Sequence, residues 1–187
     1  MDGVINLAKL DLEKLDDSRD QLLAQVPGQI PTLSPEDSSL FTLIGERLMK
    51  EAEVSPDDMQ KSEIVGAIGR ALRIGYGLAR LDADAGVGRD ADVDLCDHCK
   101  AVREALEAGC DELFAQLIER IPMLGEEDTI LFIMIGARIM REAGVPVTDA
   151  LKYKVSHAVK TALLVGYGLA RLDVDSGVER DIDRLLD

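Results

Sequence analysis

Residues 23–90 are read again, ninety-one places later, at residues 114–181, and no other feature of the chain constrains its fold as much. Gly75 to Asp90 reads GYGLARLDADAGVGRD, and Gly166 to Asp181 reads GYGLARLDVDSGVERD. The register holds without a gap through Phe41, Ile44, Gly45 and Arg47 against Phe132, Ile135, Gly136 and Arg138, and through Ile30-Pro31 against Ile121-Pro122. Roughly half the positions from Phe41 onward are identical, which shared composition alone does not give. The expected architecture is therefore an all-α helical bundle of two tandem three-helix repeats with pseudo-twofold symmetry. The first repeat spans residues 1–91 and the second 92–187, with no long linker to separate them, so the two are expected to pack as one compact unit.

Each repeat reads as three helices. The first runs from about Val4 to Gln25, with Val4, Ala8, Leu12, Leu15, Leu22 and Val26 at helical spacing, and recurs from about Leu95 to Glu119. The second opens at Ser34-Pro35-Glu36-Asp37, an N-cap followed by proline and two acids at the positive helix end, and in the other half at Gly125-Glu126-Glu127-Asp128. The third starts near Ser55 and near Thr148 and runs through the GYGLARLD block. Gly86 and Gly177 are placed to stop it in the left-handed conformation, with Val87 and Val178 folding back onto the last turn.

The third helices carry a stripe of small side chains. Ala67, Ala71, Gly75 and Ala79 recur as Ala158, Ala162, Gly166 and Ala170, and a four-residue step keeps them on one ridge. Aliphatic positions flank the ridge: Ile64, Ile68, Leu72, Leu78 and Leu81, then Val155, Val159, Leu163, Leu169 and Leu172. Two such helices are expected to approach closely across the seam between the repeats. Tyr76 with Arg80 and Tyr167 with Arg171 are neighbours one turn apart at the border of the apolar face. They are candidates for a polar anchor at a pocket mouth, against the plainer reading of a packed ring with an arginine stacked on it.

Composition narrows the function classes. A formal net charge of -15 repels nucleic-acid phosphates and anionic headgroups, so no direct contact with nucleic acid or membrane is expected. The longest uncharged runs, Thr129 to Ala137 and Thr161 to Ala170, are about half of the ~20 residues a membrane span needs. The opening residues lack a basic stretch followed by an apolar one, which predicts a cytoplasmic protein. Three cysteines, all in the second half, suggest no disulfide framework.

Several motifs fail on inspection. Gly75-Tyr76-Gly77 begins like a dinucleotide fingerprint, but Arg80 replaces its last glycine and helical periodicity runs straight through. Asp82, Asp84, Asp90 and Asp92, repeated ninety-one places on, lack the glycine and glutamate of a calcium loop. Cys96 and Cys99 stand too far from Cys110, about 16 Å along a helix, to share a metal. His157 aligns with Gly66 on a polar face and reads as an exposed histidine. No cofactor or metal is expected, and no catalytic residue is identified.

The second helix is more apolar in the second half, where Ile133 replaces Thr42 and Ala137 replaces Glu46. Ile130, Ile133, Met134 and Ala137 are thus candidates for an oligomer interface, in a homodimer or larger assembly. The resulting expectation is a non-enzymatic binding or interaction module for a protein partner or small molecule at the inter-repeat or subunit seam. An acidic decoy of nucleic acid and an unrecognised enzyme are the alternatives.

Overall fold

The computed structural model describes residues 11–30, 35–55, 57, 62–89, 116–117, 119–122, 124–145 and 149–178, and among them every regular element is helical. Helix α1 (Leu12–Gln25) passes into a short 3-10 turn (Val26–Gln29), followed by α2 (Pro35–Glu51), α3 (Ser62–Ala85), α4 (Glu126–Glu142) and α5 (Asp149–Ser176). The all-α class holds. The helix expected from about Leu95 to Glu119 lies almost wholly outside the described residues, as do Cys96, His98, Cys99 and Cys110.

Local chemistry sets the helix ends. Asp11 caps α1, its carboxylate accepting from the Lys14 amide at 3.1 Å. Glu126, Glu127 and Asp128 sit in the first turn of α4, where the unpaired amides favour negative charge. Helices α3 and α5 stop at Gly86 and Gly177, with φ of 66° and 68°. The amides of Val87 and Val178 reach back to the carbonyls of Asp82 and Asp173, both at 2.8 Å. The valine side chains stay exposed, so these stops are made by the backbone rather than by the apolar fold-back the sequence suggested.

α3 and α5 are the centre of the molecule and pack most extensively against each other. Ile64, Ile68, Leu72 and Leu78 of α3 and Val155, Val159, Leu163 and Leu169 of α5 have no more than 1% of their surface exposed. A helix apolar around this much of its circumference needs neighbours on several sides. α2 and the 3-10 turn lie against α3, while α4 packs on α5 and on α1.

Candidate functional site

At the α3–α5 contact, backbone meets backbone. A methyl group on Gly75 would sit 2.0 Å from the carbonyl oxygen of Leu163, and one on Gly166 would sit 2.0 Å from that of Leu72. Ala67, Ala71, Ala79, Ala158, Ala162 and Ala170 are buried along the same two helices. Residues near 74 of α3 thus lie beside residues near 165 of α5, and further on Ala79 and Ala170 line one shared groove. Contact moves down both helices together, so they run parallel. The second glycine of each Gly-Tyr-Gly has a different neighbour. A carbon on Gly77 would be 3.0 Å from Val26, and one on Gly168 would be 3.2 Å from the backbone of Leu117 and Ile121. One glycine admits the opposite central helix and the other admits the segment that leads out of the first helix.

Between these glycines each tyrosine points into the protein. Tyr76 and Tyr167 are each 1% exposed, inside the core and not at a pocket rim. The Tyr76 hydroxyl donates to Asp173 Oδ2 at 2.9 Å, and the Tyr167 hydroxyl donates to Asp82 Oδ2 at 2.7 Å. Both bonds cross from one central helix to the other. Burial, reinforced by the adjacent carboxylate, pushes both phenols well above their ordinary value, so each stays a neutral donor. Burial also raises the Asp173 carboxyl to about 6, against the opposing pull of the Tyr76 hydrogen bond and of Arg80.

Asp82 has a further partner. Arg89, just past the glycine stop, donates from Nε and Nη2 to the two oxygens of Asp82 at 2.5 and 2.9 Å, and from Nη1 to Asp128 at 2.5 Å. Burial disfavours the charged guanidinium, but the Asp82 and Asp128 carboxylates outweigh it and hold its pKa above the usual value. A fork of this kind ties the end of α3 to the first turn of α4. Arg171 stacks over the Tyr167 ring at 4.9 Å from the centroid. Phe41 and Phe132 lie tilted against the Tyr76 and Tyr167 rings at 6.4 and 6.1 Å.

Among the described residues several grooves open at the surface, and neither tyrosine lines the three described next. One, of about 370 Å³, begins where the central helices part and is lined by Ala79, Ala83, Ala170, Arg171 and Val174, with the Arg120–Asp175 ion pair at its edge. Another, of about 460 Å³, runs between α1 and α4 beside Arg89 and is largely polar. The third, of about 320 Å³, lies between the end of α1, α3 and α4. Its floor is Leu23, Val26, Pro27, Ile30, Ile74 and Ile139, and its rim is Arg70, Arg73, Arg138 and Glu142.

Of the α4 residues read as an oligomer face, Ile130 is buried within the chain, Ile133 and Met134 are half-buried and Ala137 is exposed. The larger exposed apolar side chains are elsewhere, at Leu43 and Tyr153. His157 is half-buried rather than exposed, its pKa held below the usual value by that burial and by Lys160. Among the described residues no three metal-ligating side chains converge, and no helix is long and apolar enough to cross a membrane.

Asp82 and Asp173 are the residues that sequence reasoning passed over, having read them as acids of a helix stop. Each lies seven positions beyond Gly75 or Gly166, two turns along the same apolar face, and a carboxylate there in both repeats signals a buried partner. No protein-family model, curated protein or solved structure matches this chain.

Proposed function

We propose that the chain is a non-enzymatic binding module built as a duplicated three-helix unit with pseudo-twofold symmetry, and that its ligand lies in the cleft between repeats. The seam itself is closed by the contacts of Gly75 and Gly166, so the reading rests on the groove beside it, where α1 and α3 of the first repeat face α4 of the second. The observation that carries it is the composition of that groove: three arginines around an aliphatic floor, in a chain of net charge -15. A cleft with an apolar lining and a few convergent polar groups is the usual form of a small-molecule site.

The probe for this reading is 8-anilinonaphthalene-1-sulfonate, an apolar dye with one negative charge. One dye per chain should bind saturably, and Leu23→Trp, which fills the floor from a half-exposed position, should abolish binding without lowering the melting temperature. Dye binding that Leu23→Trp leaves intact would overturn the assignment of the groove.

A further inference from the structure

Resting on that reading of the groove, the cation balance at its rim and its size define a ligand class. Arg70 donates to Glu142 at 2.6 Å. Arg138 donates to Glu142 at 2.8 Å and to Asp20 at 2.7 Å. Arg73 is paired with no carboxylate among the described residues, and its one hydrogen bond is a long one, 3.4 Å, to the Gly69 carbonyl of its own helix. Asp20 also accepts from Arg19, which is paired with Asp16 as well, so among the described residues four guanidiniums meet three carboxylates, Asp16, Asp20 and Glu142, and the uncompensated charge is on Arg73.

The internal repeat shows that this arrangement is specific to one half. Arg138 and Glu142 have matching residues in the other copy, Arg47 and Glu51, so that part belongs to the shared unit. The positions matching Arg70 and Arg73 are Thr161 and Leu164, which are 6% and 2% exposed. Only the first repeat presents arginines from these two positions of its central helix to a groove. In the second, the same face of the central helix is covered.

We infer that the groove binds a medium-chain aliphatic carboxylate, its chain along the Val26, Ile74 and Ile139 floor and its head on Arg73. A single planar guanidinium suits one carboxylate, which it can hold through two parallel hydrogen bonds. A nucleotide or polyphosphate would bring several charges to a rim with one cation to spare. The volume of about 320 Å³ is at the small end of ligand sites and fits one short chain rather than a folded partner.

Calorimetric titration with decanoate below its micellar concentration, against decanol as the uncharged match, tests this. Decanoate should bind once per chain, about tenfold more tightly than decanol, and should weaken as salt is added. Arg73→Gln should remove that advantage and leave decanol unchanged, while Arg73→Lys should recover part of it. Arg73 is exposed, so both variants should melt like the parent. Equal affinity for decanoate and decanol, or an unaltered Arg73→Gln variant, would overturn the head-group assignment while leaving the groove itself standing. Decanoate binding that survives Leu23→Trp would instead remove the groove. Competition by a tetrapeptide ending in Leu-Leu, with none by decanoate, would replace the inferred ligand with a peptide carboxylate.

Discussion

Single residues decide how close the central helices come. At Gly75 and Gly166 the opposing atom is a backbone carbonyl, which has no rotamer through which to yield. Gly75→Ala should therefore cost about 3 kcal/mol, the upper end of ordinary overpacking, though it adds one carbon. Gly69, on the same helix, faces open space, and Gly69→Ala should stabilise by about 0.5–1 kcal/mol through helix propensity alone. Equal denaturation midpoints for the two variants would contradict the close approach. Glu53 offers a second contrast. It lies just past α2 at φ 54°, where the matching residue after α4 is Gly144 at φ 65°. A side chain there is strained, and Glu53→Gly should raise stability by about 0.5–1 kcal/mol in urea melts.

At the scale of elements, the tyrosine–aspartate bonds join α3 to α5, and Arg89 joins α3 to α4. Arg89→Ala would leave Asp82 buried beside Asp128 without the shared cation, at a cost of about 3–5 kcal/mol. Asp173 makes the α3–α5 pairing depend on pH. Its carboxyl titrates at about 6 in the folded chain against an unperturbed 3.8, so between those values the native state holds a proton that the unfolded state releases. Stability from this group is greatest at low pH and falls as pH rises through that window, by on the order of 3 kcal/mol. Glu142, held below the usual range chiefly by its Arg138 hydrogen bond, acts in the opposite sense and loses its contribution as the medium becomes more acid. The melting temperature should thus be higher near pH 5 than at pH 7.5, and Asp173→Asn, which still accepts from Tyr76, should flatten that slope. An unchanged slope would show that Asp173 is not its source.

The helix ends at Pro35, Glu126, Gly86 and Gly177 were legible in the sequence because caps and stops are set by residues within one turn. The small stripe was legible because its spacing is local. The Asp82 and Asp173 pairings were not, since each carboxylate meets a tyrosine more than eighty positions away and the only local sign is an acid on an apolar face. The arginine groove was hidden for a similar reason. Arg70, Arg73 and Arg138 are unremarkable surface residues on their own helices, and only the docking of α1 and α4 against α3 gathers them.

For the whole molecule, 36 acidic residues against 21 basic ones make the folded state repel itself. Salt should raise the melting temperature by screening, with most of the gain reached by about 0.1 M, where the Debye length is about 10 Å. Calcium and sodium at matched ionic strength should be equivalent. A calcium-specific rise lost in Asp84→Ala with Asp175→Ala would identify a metal site instead.

The parallel course of α3 and α5 has a kinetic consequence. Side-by-side helices that point the same way cannot be joined by a short turn, so the chain from the end of α3 must travel back along their length before α5 begins. Their contact therefore closes a loop of about ninety residues, and the entropy of that closure must be met before any seam atom touches another. We expect the seam to form after the rate-limiting step of folding. Gly75→Ala should then speed unfolding far more than it slows refolding, which stopped-flow chevrons would show as a shifted unfolding arm and a nearly unmoved folding arm.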